Sequence, residues 1–394
     1  MRSTIAAAAV LTVGLLAPAP AHAAAPAETA RTGAATTRLV LPQPTGRDRI
    51  GTVSLHLIDG SRPDPWVPAQ LSREIMVQLW YPAADVRGYP RADWVSPGLA
   101  AVINPPGSPV TLPVTHAHTG APAARGRHPV VLYSPGFGVE RTAGTALVEE
   151  LASHGYVVVT IDHTHDAPLV EFPGGRLEPQ TLPEPGDPDA EEQVIATALA
   201  ARVADTRFTL DRLAAISRGR NPDAEHRPLP RGLKDAMDLS KVAMFGHSLG
   251  GATAAQVMYE DRRVRAGINM DGSVSGTVVA AGLDRPFLLL GSDQHDSADD
   301  ESWTELWSHL RGPRRELQLD ESGHMSFTDY QVLLPQAGVP AADLIPAYGT
   351  IDGARSVTVQ RAYVLAFIDR YLRRSGGQLL DRPSPRFPEM RFVG

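Results

Sequence analysis

The run Val242-Ala243-Met244-Phe245-Gly246-His247-Ser248-Leu249-Gly250-Gly251-Ala252 passes from an apolar, strand-like stretch straight into a helical one, with a serine at the join. A Gly-x-Ser-x-Gly turn in that setting lifts the serine hydroxyl above the edge of a sheet. Only small residues at Gly246 and Gly250 leave room for so tight a backbone. The first amides of the following helix point to the same spot, so the Leu249 N–H is a natural donor to a developing negative charge. His247 faces away from the serine in such a turn and reads as structural.

The rest of the chain supplies the setting that this turn requires. Apolar runs at 129–133, 156–161, 242–245, 266–270, 286–290 and 317–319 alternate with amphipathic patterns at 144–154, 195–216, 249–259, 303–310 and 357–372. This alternation predicts a mostly parallel, doubly wound sheet with helices on both faces, and the Gly-x-Ser-x-Gly turn between strand and helix makes an α/β-hydrolase fold the expectation. A further strand, 75–81, ends at Pro82, and 83–127 reads as loop. Two stretches rich in Pro, Gly and charge, 167–191 and 217–237, interrupt the alternation as substrate-shaping loops or long surface connections.

At the N-terminus, Met1-Arg2-Ser3, an apolar stretch from Ile5 to Leu16 and a small-x-small site at Ala21-His22-Ala23 form a secretory signal. The expected organisation is a signal peptide at 1–23, a flexible leader at 24–43 and one catalytic domain at 44–394, secreted to the extracellular space. Cysteine is absent, which excludes both a disulfide framework and a thiol nucleophile. A formal charge of −7 and only short Arg clusters give no surface for nucleic acid. No later apolar run is long enough for stable membrane insertion. Nothing in the sequence specifies an oligomeric state.

A serine nucleophile needs a base, an acid and a place for the oxyanion. The turn Ser134-Pro135-Gly136-Phe137-Gly138 follows the 129–133 strand, and its two glycines suit a backbone that aims the Phe137 N–H inward as the second oxyanion donor. Of thirteen histidines, only His324 follows the last expected strand with a glycine beside it, in Glu321-Ser322-Gly323-His324. Two carboxylates lie at strand ends, Asp271 and Asp293, and the residues alone do not choose between them. Asp162-His163-Thr164-His165-Asp166 could suggest a metal site, but no second ligand cluster accompanies it, and it reads as a loop that supports the site. His295 and Asp296 read as surface loop.

Gly246-His247-Ser248-Leu249-Gly250-Gly251-Ala252-Thr253, Ser134-Pro135-Gly136-Phe137-Gly138, Leu151-Ala152-Ser153-His154-Gly155-Tyr156 and Asn269-Met270-Asp271-Gly272 together resemble the plasma-type (isoform II) platelet-activating-factor acetylhydrolases. The resemblance spans roughly residues 75–372. It implies that the acid is Asp271, that Phe137 and Leu249 donate the oxyanion amides, and that no metal or cofactor is needed. Pro135 departs from the histidine common in that loop, which leaves the backbone donor in place and bears on substrate geometry. Exported bacterial lipases and cutinases are similar, and there the acid would fall on Asp293.

The expected activity is therefore hydrolysis of short-chain esters or phospholipid sn-2 acyl groups by Ser248, His324 and Asp271, on a small-molecule or lipid ester. The alternatives are a cutinase- or lipase-like hydrolase of polyesters or triacylglycerols, a peptidase or amidase with the same triad, and a binding protein that keeps the fold without turnover.

Overall fold

The computed structural model describes residues 36–183 and 186–393, so the expected signal peptide and most of the expected leader lie outside the described residues. Eleven strands form one sheet: β1 (Ile50–Asp59), β2 (Arg73–Pro82), β3 (Arg91–Asp93), β4 (Val114–Thr119), β5 (His128–Ser134), β6 (Val157–Asp162), β7 (Met237–His247), β8 (Val264–Met270), β9 (Phe287–Gly291), β10 (Arg314–Leu319) and β11 (Met390–Phe392). Their order across the sheet is β11-β10-β9-β8-β7-β5-β6-β2-β1-β4-β3. The six from β6 to β10 pair in parallel, and β2 and β11 flank them antiparallel.

Alternate side chains along these strands enter opposite cores, as the two-residue strand period requires. Val130, Leu132, Met244 and Leu289 pack with helices α2 (Pro188–Ser217), α3 (Leu249–Glu260) and α4 (Glu301–His309). Val131, Tyr133, Phe245 and Leu290 pack on the other face with α1 (Thr145–Ser153) and α5 (Gly353–Ile368). This is the mostly parallel, doubly wound arrangement that the alternation predicts. The chain leaves β5 to one side for β6, then returns to β7 on the other side. The crevice at the carboxyl ends of β5 and β7 is thus the topological switch point, where ligands bind in open α/β sheets.

Several stretches are more ordered than their composition indicates. The stretch expected to be loop at 83–127 holds β3, β4 and a helix at Pro97–Ile103. The 167–191 stretch holds an antiparallel hairpin, Leu169–Phe172 with Arg176–Pro179, and the first turn of α2. That helix starts seven residues before the expected 195, capped by the Asp187 side chain on the Ala190 N–H with Pro188 in the first turn. Its opening turns are polar and carry no apolar stripe to read.

The end of the expected leader is packed rather than free. Thr37–Arg38 pairs with Val110–Thr111, and Leu39 and Leu41 are buried. The Val40 backbone exchanges two 2.9 Å hydrogen bonds with the Gln336 amide, and Arg361 of α5 donates to the Pro42 and Gln43 carbonyls.

On the α2 face, charge is buried in pairs. Arg73 at the start of β2 is fully buried and donates to Asp64, to both oxygens of Asp205 on α2, and to the Thr164 carbonyl. Removing one partner of such a cluster strands the other in a medium of low dielectric. Asp205→Ala is therefore expected to cost about 3 kcal/mol, read as a lowered urea midpoint at constant slope; an unchanged midpoint would show that the ion pair is not what fixes α2 to the sheet.

Candidate active site

The backbone at the end of β7 is strained where the Gly-x-Ser-x-Gly pattern places it. Ser248 sits at φ 54° and ψ −127°, outside the regions that L residues favour, and its N–H is held by the Met270 carbonyl at 2.8 Å. Close approach explains the glycines. A Cβ on Gly246 would lie 2.2 Å from the Gly250 carbonyl, and one on Gly250 would lie 2.0 Å from the Ser134 oxygen. Gly272, after β8, meets the same limit against the Ser248 oxygen at 2.0 Å.

β8 ends in a second strained residue. Asp271 has φ 60°, and its N–H donates to the Leu290 carbonyl at 2.9 Å. This turn brings the buried carboxylate to His324, whose Nδ1 lies 2.6 Å from Asp271 Oδ2. With Nδ1 donating there, the lone pair of Nε2 is left free to accept a proton. Asp293, the rival carboxylate, is exposed and joins the His324 loop only through its backbone, its N–H donating to the Ser322 carbonyl. It is thus Asp271, and not Asp293, whose carboxylate the fold places on the Nδ1 side of His324.

His247 has a specific task. Its Nε2 donates to the His324 carbonyl at 2.9 Å, and the two rings lie 4.6 Å apart. Burial, helped by the charge of His324, pushes it down to about 3, so it is a neutral clip on the backbone of the candidate base. Among the described residues the Ser248 hydroxyl has no hydrogen-bond partner, and such bonds commonly close only when substrate is bound.

The loop after β5 is set by α2. Arg202, fully buried, donates to the Pro135 carbonyl at 2.5 Å, to the Gly136 carbonyl at 2.9 Å and to both oxygens of Asp166. Asp166 in turn accepts the Gly138 N–H at 3.1 Å. With those groups engaged and Val139 bonded back to Gly136, the Phe137 N–H has no acceptor among the described residues. The Leu249 N–H, in the first turn of α3, has no acceptor within its own helix. The loop 162–166 works as a support. Asp162 holds Arg141, and His163 bridges Ser134 Oγ and Asp205, each at 2.9 Å.

Two participants escaped the sequence reading. Arg202 lies at helical spacing on the same face as Ala198, Leu213 and Ile216, but that face also carries Asp205, Thr206 and Thr209, so its charge did not stand out. His295 was expected on a surface loop. Instead its side chain is largely buried and bridges Asp271 Oδ1 at 3.1 Å and Asp300 Oδ2 at 2.9 Å. Asp300 is only five residues on, but Asp271, the partner that ties it to the site, is remote in sequence. Asp296 beside it does lie in the loop, capping the Ala298 N–H.

Burial would push Asp271 up, but hydrogen bonds from His295 and His324 hold it well below the usual carboxylate range. Burial likewise opposes charge on His295, yet Asp271 and Asp300 raise it from 6.5 to about 10. His295 binds its proton more tightly when folded, so its contribution to stability is complete below pH 6.5 and is lost as pH rises toward 10. The melting temperature of the native chain should fall across that window, and His295→Gln should flatten the fall; parallel curves would show that the ring carries no such charge. Gly272→Ala should displace the Ser248 turn and abolish turnover, with a lower melting temperature.

The family model described as platelet-activating factor acetylhydrolase, isoform II, matches residues 66–378. A probable 1-alkyl-2-acetylglycerophosphocholine esterase of Arthroderma benhamiae is 28% identical over 401 residues, covering 90% of this chain and 94% of the relative. The platelet-activating factor acetylhydrolase of Cavia porcellus is 28% identical over 266 residues, 62% of this chain and 58% of its own. A solved ferulic acid esterase from Streptomyces cinnamoneus superposes with a TM-score of 0.77 at 39% identity, covering 90% of this chain and 99% of that one.

Proposed function

Because this chain belongs to the platelet-activating factor acetylhydrolase isoform II family, we propose that it is an exported serine esterase in which Ser248, His324 and Asp271 hydrolyse carboxylic esters of short acyl chains. The observation that carries the reading is the 2.6 Å bond between His324 Nδ1 and the buried Asp271, set beside a serine on a strained strand-to-helix turn.

Ser248 Oγ attacks the ester carbonyl while His324 Nε2 takes its proton, and Asp271 steadies the imidazolium through Nδ1. The carbonyl oxygen becomes an oxyanion held by the Leu249 and Phe137 amides. Collapse breaks the ester C–O bond, and the leaving alkoxide takes the proton from His324. Water then attacks the acyl-serine by the same route, releasing the acid and restoring Ser248.

The 39% identity to a ferulic acid esterase, against 28% to the alkylacetylglycerophosphocholine esterase, favours a second reading in which esters of ferulic acid are the substrate. Residues 1–23 would direct export with cleavage after Ala23; among the described residues no helix is long and apolar enough to cross a membrane.

Turnover of p-nitrophenyl acetate, a 2-acetyl phospholipid and methyl ferulate by the mature protein tests both readings. Ser248→Ala should abolish all activity, and Asp271→Asn should lower kcat by about 10⁴-fold while Asp293→Asn leaves it unchanged. Preference for methyl ferulate over both acetyl esters would establish the second reading. Full activity in Ser248→Ala would overturn the mechanism.

A further inference from the structure

We propose that His295 is a positioning residue for the ester hydrolysis, a cationic brace that ties the candidate acid Asp271 to the N-terminus of α4 through Asp300. The proposal rests on the reading of Asp271 as the partner of the base.

The four side chains form one continuous line. His324 Nδ1 binds Asp271 Oδ2 at 2.6 Å, Asp271 Oδ1 faces His295 Nδ1 at 3.1 Å, and His295 Nε2 faces Asp300 Oδ2 at 2.9 Å. Asp300 ends the line as the N-cap of α4, its other oxygen accepting the Ser302 N–H at 2.8 Å and the Trp303 N–H at 3.3 Å. Asp271 Oδ1 also accepts the Ser292 N–H at 2.5 Å. Both oxygens of the acid are thus engaged, and it cannot swing away from His324 without breaking a charge-assisted bond.

The ring of His295 is fixed as firmly as its partners. It lies 4.4 Å from the Trp303 indole, whose Nε1 donates to the Gly272 carbonyl at 2.7 Å, next to Asp271. The charged groups against it are Asp271 from the turn after β8 and Asp300 from α4; Glu316 of β10 is turned to the Ser297 amide. With carboxylates on both ring nitrogens, the imidazole donates to both only when it is protonated.

A cation here does two things. It holds Asp271 in register with His324, and it offsets part of the carboxylate charge that would otherwise stabilise the protonated, inactive base. Loss of the ring charge should therefore lower kcat and also move the acidic limb of the kcat/KM profile to higher pH. A purely structural role would lower the melting temperature without moving that limb.

The test compares wild type, His295→Gln, Asp300→Asn and Ser248→Ala on p-nitrophenyl acetate across about pH 5 to 10, with the melting temperature of each. In His295→Gln, kcat should fall by about 10-fold to 100-fold with KM nearly unchanged and the acidic limb shifted up. Asp300→Asn keeps a side chain that caps helices equally well and should lower kcat to a smaller extent. It keeps the test open if His295→Gln does not fold. Wild-type kcat with an unmoved limb in the folded variants would overturn the proposal, as would losses that track melting temperature alone. Turnover by Ser248→Ala would instead overturn the triad, and this proposal with it.

Discussion

The close approach of three backbone segments at the carboxyl edge of the sheet governs everything built above it. The Ser248 turn fits only because Gly246, Gly250 and Gly272 present hydrogen where any other residue would present carbon. The strained Ser248 conformation costs energy of its own, on the order of 1–3 kcal/mol. The 2.8 Å bond from its N–H to β8, and the helix that begins at once on the far side, hold it in place. Order at this edge is imposed by the sheet, because the parallel strands beneath are buried on both faces and cannot shift register without turning their side chains into the wrong core.

Buried charge extends that order outward. Arg202 and Asp166 fix the loop after β5 from behind, and Arg73 and Asp205 fix the helix that carries Arg202. On the opposite side of Ser248, Asp300 and His295 fix the turn that carries Asp271. The candidate oxyanion amides and the candidate acid are thus each backed by a guanidinium, a helix terminus or the His295 ring. Breaking such a pair is more costly than breaking a surface one, because the stranded partner has no water to turn to.

The six parallel strands and the five helices that cover them were legible because each is long enough to show its period. Short edge elements such as Arg91–Asp93 and Val114–Thr119 were not, since their order comes from neighbours rather than from their own pattern. The candidate nucleophile and base, Ser248 and His324, were readable from the glycines beside them. The residues alone did not choose between Asp271 and Asp293 as candidate acids, because both follow strands; what sets Asp271 apart in the fold is a positive φ that turns its carboxylate to His324, beside the pairing of β8 with β9. His295 was misassigned because its loop has the composition of a surface, and the partner that draws it into the site, Asp271, comes from elsewhere in the chain.

The paired bonds between Val40 and Gln336 give the start of the described chain an unexpected reach. Gln336 closes the helix that follows the His324 turn, and Arg361, which grips the Pro42 and Gln43 carbonyls, lies on the helix packed behind that turn. The segment therefore acts as a strap drawn over the part of the molecule that carries the His324 turn. Removal of the chain ahead of residue 37 leaves the strap fastened, whereas trimming a few residues further would slacken the candidate base from a point with no chemistry of its own.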